Sequence, residues 1–359
     1  MATSTDFLID KSDLVKTRLA ETEIAPLEDG QVLLAIEKFA LTANNITYAL
    51  VGEQMAYWNF FPAEEGWGRV PVWGYAYVIE SRHPDVEAGE RLYGYLPVSS
   101  HLVVEPGGVS VTQFTDMAAH RQPMNRVYNS YRRLSADPAH NPALEDHRAL
   151  FEPLFMTSFL IEAFMRREDW FGAQSLIITS ASSKTGMALA ESAKARSPGI
   201  ERIGLTSPAN IGFVEGLGLY DRVLAYDALS EIDSAAPSVI VDFAGNGPAL
   251  SALHNHLADA LKYSCLVGAT HWRDRGLAEG IAGPKPILFF APDHVVAMTK
   301  DLGAEAFARE IGKAWSRFIG QAQGWVDVVH REGGEAVTRA YQTLLAGKAS
   351  AREGFILSL

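Results

Sequence analysis

Residues 175–194, SLIITSASSKTGMALAESAK, constrain the fold more than any other part of the chain. Leu176, Ile177 and Ile178 form a continuous apolar run, as a central parallel strand covered on both faces requires. Small and polar residues lead from this run directly into a helix, leaving backbone N–H groups and the positive end of a helix dipole beyond the strand. Such a turn suits a diphosphate. We therefore predict a nucleotide site at the turn, built by Ser180, Ala181, Ser182, Ser183, Lys184, Thr185 and Gly186.

The glycine pattern of this turn departs from the dinucleotide-binding G-x-G-x-x-G, because only Gly186 is kept. The turn therefore also fits an ordinary strand–turn–helix of an α/β protein. A phosphate loop for ATP is excluded, since the spacing G-x-x-x-x-G-K-[ST] is absent.

Composition restricts the class of protein. The 359 residues suffice for two domains, and a net charge of −12 disfavours binding to nucleic acid or to anionic membranes. The single cysteine, Cys265, excludes an internal disulfide and a four-thiolate zinc site. With no signal-like start and no apolar run long enough to span a bilayer, we expect a cytoplasmic protein.

The pattern of elements changes along the chain. Short β-type runs fill the first 110 residues, and residues 124–134 and 150–167 show helical spacing. From residue 175, strands alternate with helices, which predicts right-handed βαβ crossovers and a parallel sheet. A last strand of this sheet is expected at 286–290, followed by a helix at 303–319, a strand at 325–329, a helix at 335–345 and a terminal strand.

This order of elements resembles the medium-chain dehydrogenase/reductase superfamily, specifically its zinc-free quinone and enoyl reductase branch. The resembling motifs are V-L-L-A-I-E and L-T-A-N-N at 32–37 and 41–45, E-A-G-E-R-L-Y-G at 87–94, G-L-Y-D-R-V-L-A-Y at 218–226, V-D-F-A-G at 241–245 and L-V-G-A at 266–269. More narrowly, residues 152–159 and 289–293 are similar to a bacterial and fungal group labelled DUF2855.

The resemblance implies an α/β fold in which a Rossmann doubly wound parallel sheet domain is inserted in a GroES-like β-rich domain. We expect the GroES-like catalytic domain at residues 1–154 and 300–359, and the dinucleotide-binding domain at 155–299. It also implies a homodimer, formed by edge pairing around residues 287–290.

The zinc ligands of the superfamily's alcohol dehydrogenases are missing here. The active-site loop has Thr42, Ala43 and Asn44 where a cysteine is expected, and residues 71–76, P-V-W-G-Y-A, lack the His–Glu pair. His254 and His256, two apart on a predicted helix, point in different directions, and we interpret them as surface residues. We therefore expect no metal.

Without a metal, the branch implies hydride delivery from a reduced nicotinamide to an activated alkene, enone or quinone. The developing enolate charge then needs a hydroxyl or amide donor. A pocket of Tyr48, Tyr57, Trp58, Phe60 and Phe61 fits a small apolar or planar substrate, and equally fits a plain hydrophobic core. The candidate catalytic residues are Asn45, Tyr48, Tyr57, Tyr128, Tyr131 and Thr157.

We expect NADPH rather than NADH as cofactor. No Asp or Glu follows the second strand, where an NAD enzyme holds the ribose 2′-hydroxyl, and Ser207 can bond a 2′-phosphate that Lys184 could also approach. The basic residue that the family has a few positions later is missing. The remaining predicted cofactor residues follow the second to fifth strands: Thr206, Ser207, Tyr226, Ala244, Gly245, Gly268, Ala269 and Thr270.

Two other functions remain open. A noncatalytic NADPH-binding or sensor protein would explain the damaged fingerprint, because Cβ atoms at Ala181 and Ser183 obstruct close backbone approach to a pyrophosphate. A methyltransferase is the other alternative, because residues 241–247, VDFAGNG, imitate a D-x-G-x-G loop for S-adenosylmethionine. That loop would normally follow the first strand of its domain, which these residues do not.

Overall fold

The computed structural model describes residues 3–268 and 281–359. The chain divides into two compact units. The first contains residues 1–150, 327–349 and 353–359, and the second contains residues 151–326 and 350–352. None of the described helices is long and apolar enough to cross a membrane.

The second unit is built on a six-stranded parallel sheet. Its strands are β11 Ser175–Ile178, β12 Glu201–Thr206, β13 Arg222–Ala225, β14 Ser238–Asp242, β15 Leu261–Leu266 and β16 Ile287–Leu288. Their spatial order is β13-β12-β11-β14-β15-β16. Counted within the unit this is 3-2-1-4-5-6, the order of doubly wound dinucleotide-binding sheets. The strand order reverses between β11 and β14, and such sheets bind their ligands at this switch point.

Central burial explains why β11 is apolar throughout. Leu176, Ile177 and Ile178 are fully buried, because β11 pairs with β12 on one side and with β14 on the other. The helices of this unit are the main part of α2 Glu145–Arg167, α3 Lys184–Arg196, α4 Ile211–Gly216, α5 Gly247–Leu257, α6 Ala291–Leu302 and α7 Ala304–Ala322.

Helix α7 belongs to the second unit, whereas we expected residues 300–359 in the β-rich domain. Phe318 of α7 packs on Phe155 with ring centroids 4.9 Å apart. Arg317 pairs with the buried Glu191 of α3 at 2.7 Å. These contacts group residues 300–326 with the parallel sheet.

The first unit contains a three-stranded and a nine-stranded sheet. The smaller sheet has the order β2-β1-β4, and the main path of the larger has the order β17-β18-β3-β5-β6-β10-β9-β8, with β7 paired to β3. Its elements are β1 Thr3–Asp10, β2 Thr17–Glu23, β3 Val32–Leu41, α1 Ala43–Leu50, β4 Trp67–Gly68, β5 Pro71–Ser81, β6 Arg91–Pro97, β7 His101–Val104, β8 Pro106–Gly107, β9 Gln113–Asp116, β10 Ser130–Arg133, β17 Asp327–Glu332, α8 Gly334–Leu345 and β18 Glu353–Ser358.

The helix predicted at residues 124–134 is wrong. This segment forms a short 3-10 turn, Arg126–Asn129, and then β10. Tyr131 is fully buried, and β10 pairs with both β6 and β9. The apolar spacing suited a helix, but pairing on both sides decides the backbone conformation.

Candidate functional site

The turn after β11 is shaped by Ser180, Ser183 and Gly186. Ser180 adopts a left-handed conformation with φ of 50°. Ser183 caps helix α3, because its hydroxyl accepts the Gly186 N–H at 3.0 Å. A Cβ on Gly186 would lie 2.9 Å from the Ser180 carbonyl oxygen, so only glycine lets the helix begin this close to the strand.

Two backbone N–H groups of this turn are suited to binding an anion. The Ser180 N–H donates to the Tyr226 hydroxyl at 2.7 Å, and the Ala181 N–H donates to the Leu205 carbonyl at 2.9 Å. The N–H groups of Ser182 and Thr185 have no hydrogen-bond acceptor among the described residues. Donors without a protein acceptor at the start of α3, which opens with Lys184, form a positive end that attracts phosphate.

The end of β12 meets the same turn. The hydroxyl of Thr206 bonds that of Ser182 at 3.3 Å, and the Asn210 side chain donates to Ser182 at 3.2 Å. Ser207 is exposed and makes no capping bond. The second strand is thus followed by side chains with hydroxyl and amide groups. The sequence alone does not identify Asn210 as a site residue, because only the fold brings it close to Ser182.

The end of β14 is tied to the end of β11 through Thr179 and Asp242. Thr179 donates to the buried Asp242 carboxylate and accepts the N–H groups of Phe243 and Ala244 at 3.0 and 3.2 Å. The same carboxylate accepts the N–H groups of Ala244 and Gly245, both at 3.1 Å. Predicted residues Ala244 and Gly245 therefore form a fixed loop at the sheet's switch point.

Gly268 follows β15 beside this loop. A Cβ on Gly268 would lie 2.2 Å from the Phe243 carbonyl oxygen, so the two loops require glycine there. Gly268 thus joins the cofactor residues predicted on β11, β12 and β14 at one end of the sheet. The predicted residues Ala269 and Thr270 lie outside the described residues.

Two tyrosines support the turn. Burial raises the pKa of Tyr226 to about 12, although the Ser180 N–H favours the ionised form, so Tyr226 holds the turn as a neutral phenol. Tyr220 donates to the Ala181 carbonyl at 2.8 Å. A Cβ on Gly204 would meet both Tyr220 and Ala181, at 2.8 and 2.9 Å. The role of Tyr220 depends on this packing and has no signature in the sequence.

In the first unit, an aromatic cluster gathers several predicted residues. We define it as Tyr48, Tyr57, Phe60, Phe61 and Tyr95, which are buried, with Trp73 and Tyr128 partly buried against them. The rings of Tyr48 and Tyr57 lie 4.4 Å apart, and those of Tyr95 and Tyr128 lie 4.9 Å apart. Of the predicted catalytic residues, the cluster contains Tyr48, Tyr57 and Tyr128.

Burial controls the ionisation of these tyrosines. It raises the pKa values of Tyr48, Tyr57, Tyr95 and Tyr128, and mutual repulsion between neighbouring phenolates adds to the rise for Tyr48, Tyr95 and Tyr128. All four phenols are therefore protonated at neutral pH, and each is a potential hydrogen-bond donor.

The buried guanidinium of Arg121 packs against the aromatic cluster. Arg121 is fully buried, with Asp116 as its counterion at 3.3 Å. Its Cζ lies 5.4 and 4.8 Å from the ring centroids of Phe60 and Phe61, and one Nη donates to the Tyr128 carbonyl at 2.8 Å. Arg121 thus positions Tyr128 and brings positive charge beneath the rings.

The other three predicted catalytic residues are not members of the aromatic cluster, and their side chains hydrogen-bond to the backbone. Asn45 accepts the Thr42 N–H at 2.7 Å and donates to the Pro71 carbonyl at 2.8 Å, which fixes the start of α1. Tyr131 donates to the Tyr95 carbonyl at 2.8 Å, and Thr157, on α2, donates to the Pro153 carbonyl at 3.2 Å. These hydroxyl and amide groups hold the backbone.

Trp58 also lies apart from the aromatic cluster. Its indole fills the space next to Gly52 and Gly68, where an added Cβ would lie 2.2 and 2.3 Å away. Of the five residues predicted to form a pocket, Tyr48, Tyr57, Phe60 and Phe61 lie in the aromatic cluster together with Trp73 and Tyr95, and Trp58 does not.

The histidines of α5 are structural, and the prediction that His254 lies on the surface is wrong. His254 is fully buried, with ring nitrogens 2.9 Å from the Ser264 hydroxyl and the Ala282 carbonyl. Within residues 3–268 and 281–359, no three His, Cys, Asp or Glu side chains form a group that could hold a metal ion.

The loop that imitates a methyltransferase motif follows β14, the fourth strand of its sheet in chain order. Its carboxylate, Asp242, is only 1% exposed and is bonded to Thr179 and to backbone amides. It faces the protein interior instead of presenting its oxygens to a ligand.

Comparison with solved structures gives similar folds over nearly the whole chain. CurA from Vibrio vulnificus in complex with NADPH has a TM-score of 0.55 at 15% identity, covering 95% of this chain and 94% of that one. A mutant enoyl thioester reductase from Candida tropicalis has a TM-score of 0.57 at 12% identity, covering 100% of each chain. The yhdH oxidoreductase from Salmonella enterica in complex with NADP has a TM-score of 0.52 at 11% identity, covering 99% of each.

A search of curated proteins finds no match. A family model does match, that of the protein of unknown function DUF2855, over residues 39–350. The predicted fold class, a Rossmann domain with a GroES-like domain, is confirmed. The chain therefore belongs to the DUF2855 family and has the fold of the medium-chain dehydrogenases/reductases.

Proposed function

We propose that this protein is an NADPH-dependent oxidoreductase that reduces an activated alkene, an enone or a quinone. The proposal is carried by the end of the parallel sheet, where the N–H groups of Ser182 and Thr185, at the switch point between β11 and β14, have no acceptor within residues 3–268 and 281–359. This is where doubly wound sheets bind a dinucleotide. Solved structures of similar fold contain NADPH or NADP, which supports a nicotinamide cofactor.

The residues at this end of the sheet fit the cofactor. Ser182 and Thr185 would hold the diphosphate through their N–H groups, with Gly186 allowing its close approach. Ser207 and Asn210 would bond the group at the ribose 2′ position. The second strand ends at Thr206, and residues 207–212 contain no carboxylate to repel a 2′-phosphate, which favours NADPH.

When bound, a reduced nicotinamide supplies a hydride, two electrons with one proton, to the β-carbon of an unsaturated carbonyl compound. The product of that transfer is an enolate, which needs a proton from outside the cofactor. In our proposal Tyr48 of the aromatic cluster donates that proton to the enolate oxygen, which gives an enol that tautomerises to the ketone, and Tyr48 recovers a proton from water. The aromatic rings of the cluster favour a small, planar, apolar substrate.

Two measurements test this function. Tryptophan fluorescence titration with NADPH and NADH measures binding, and the absorbance of the reduced nicotinamide measures oxidation across a panel of enones and quinones. We expect tighter binding of NADPH, with turnover of at least one acceptor. Binding without turnover would favour the noncatalytic sensor instead, and no binding of either coenzyme would refute the proposal.

We also propose that β16 is the edge through which two copies pair. Ile287 and Leu288 are 52% and 56% exposed on this edge strand. An exposed apolar edge is normally covered by another chain. Light scattering of wild type and of Ile287→Lys tests this, since a dimer should give way to a monomer, and an unchanged mass would contradict the proposed interface.

A further inference from the structure

Two aromatic residues lie opposite each other on neighbouring strands of the first unit. Trp73 of β5 and Tyr95 of β6 are direct partners in the antiparallel register, and their ring centroids are 5.1 Å apart. Tyr48 of α1 joins them, with its ring 6.0 Å from that of Tyr95. The fold thus brings a phenol from a helix to a phenol and an indole on the sheet.

The polar atoms of this group are not satisfied by the protein. The Tyr95 hydroxyl and the Trp73 indole nitrogen are both buried, and neither has a hydrogen-bond partner in the described part of the chain. The Tyr48 hydroxyl lies close to both side chains and to that of Asn44, and these neighbours act to lower its pKa although burial outweighs them. Buried donors are normally paired, so these atoms indicate an acceptor that the protein itself does not supply.

The donors and the charge around them indicate what kind of acceptor. Arg121 packs its charged side chain on the rings of the aromatic cluster and is paired with Asp116 at 3.3 Å. The positive charge of Arg121 lies beneath Phe60, whose ring is 5.2 Å from that of Tyr95. That charge acts to lower the pKa of Tyr95, although burial and the neighbouring tyrosines outweigh it. Asp116 offsets much of this charge, so the preference for a negatively charged oxygen rests on the hydroxyl and indole donors.

We propose that the Tyr48 hydroxyl, the Trp73 indole N–H and the Tyr95 hydroxyl together bind a carbonyl oxygen of the substrate and stabilise the negative charge that develops on it. The inference rests on the proposed reductase function and adds Trp73 and Tyr95 to its site. Among the proposed acceptors it favours enones and quinones, because conjugate hydride addition to these compounds places the developing charge on a carbonyl oxygen that the three donors can bind. The rings of Tyr57 and Tyr128 flank the site.

Phenolate binding tests the site without any turnover. The probe is 4-nitrophenol, a planar anion whose ionisation is visible in its absorbance. We expect wild type to bind the phenolate more tightly than the phenol. Tyr95→Phe and Trp73→Phe should each weaken phenolate binding about tenfold, since each removes one hydrogen bond to a charged oxygen.

Matched controls keep the test specific. Tyr77→Phe removes a phenol from a half-exposed position on the same strand β5, and Trp67→Phe removes an indole on β4. Neither residue belongs to the aromatic cluster, so both variants should bind 4-nitrophenolate like wild type. Circular dichroism should show that all four variants are folded.

The reaction gives a second readout. With an enone that wild type reduces, Tyr95→Phe and Trp73→Phe should lower kcat by about a hundredfold while leaving NADPH affinity unchanged. Equal phenolate affinity and equal kcat in wild type and both variants would overturn this inference while leaving the reductase intact. Failure of wild type to bind 4-nitrophenolate would also overturn it. Failure to bind either coenzyme, with phenolate binding preserved, would refute the reductase function and leave the anion site standing.

Discussion

The link between Thr179 and Asp242 offers the sharpest test of how the sheet's end is built. Thr179 is 1% exposed, and its hydroxyl donates to the Asp242 carboxylate and accepts the Phe243 N–H at 3.0 Å. Thr179→Val preserves the shape and removes the hydroxyl. The substitution removes the hydrogen bond to the Asp242 carboxylate, worth about 1.5–3 kcal/mol, and the two bonds that the hydroxyl accepts from the Phe243 and Ala244 N–H groups, worth about 0.5–1.5 kcal/mol each. We expect the free energy of unfolding of the second unit to fall by about 3–5 kcal/mol.

Thr179→Ser is the matched control, because it keeps the hydroxyl and removes only a methyl group. Its cost should be about 1 kcal/mol. Urea titration followed by circular dichroism measures stability, and hydrogen exchange of a peptide covering residues 238–246 shows whether the loop after β14 opens first. If Thr179→Val and Thr179→Ser differ by less than about 1 kcal/mol, the hydroxyl does not hold this end of the sheet and the reasoning is wrong.

Three further changes have defined outcomes. Gly186→Ala should weaken NADPH binding at least about tenfold in calorimetry, because the added Cβ would lie 2.9 Å from the Ser180 carbonyl oxygen. The control Gly312→Ala, whose Cβ would lie in open space on α7, should stabilise the protein by about 0.5–1 kcal/mol in thermal melts. Ser207→Asp should weaken NADPH binding and spare NADH, since it sets a carboxylate against the 2′-phosphate, while Ser207→Asn should not; equal loss of both coenzymes would contradict the assignment. Glu145 is buried, which raises its pKa, but hydrogen bonds led by that from Arg91 outweigh burial and lower the pKa to about 2. Its stabilising effect is therefore complete above the unfolded-state pKa of about 4.3 and is lost as the pH falls towards 2, so the stability difference between wild type and Glu145→Gln in urea titrations should be large at pH 7 and shrink below about pH 4.

The parallel sheet could be predicted because its signals are local. Burial on both faces makes β11 continuously apolar, and the short connection to α3 requires Gly186, so both features appear within a dozen residues. The handedness of βαβ crossovers alone does not fix the order of the remaining strands, because doubly wound sheets with other strand orders obey the same handedness. Residues 300–326 were placed in the other domain because the packing of α7 on α2 and α3 has no local signature.

The candidate site in the first unit was predictable only in part. Tyr48 and Tyr57 stand out because they follow the active-site loop within the sequence. Trp73 and Tyr95 are 22 positions apart, and only the register of β5 against β6 sets them side by side. An alternation of aromatic residues along β5 and β6 is visible in the sequence, but it gives no strand register. Asn45 and Tyr131 were predicted as catalytic residues from their residue types, but their side chains donate hydrogen bonds to the backbone carbonyls of Pro71 and Tyr95. A polar residue near a predicted site therefore does not by itself indicate a catalytic role.

The position of β18 has a consequence for how the protein is made. This strand, Glu353–Ser358, lies between β17 and β3 in the nine-stranded sheet, so the first unit lacks an interior strand until residues 353–358 have left the ribosome. The second unit is nearly continuous in sequence, residues 151–326, and can fold while synthesis continues. Residues 3–150 are made before the second unit but complete their sheet after it. A nascent chain stalled before residue 353 should therefore contain a folded second unit and an incomplete β-sheet in the first.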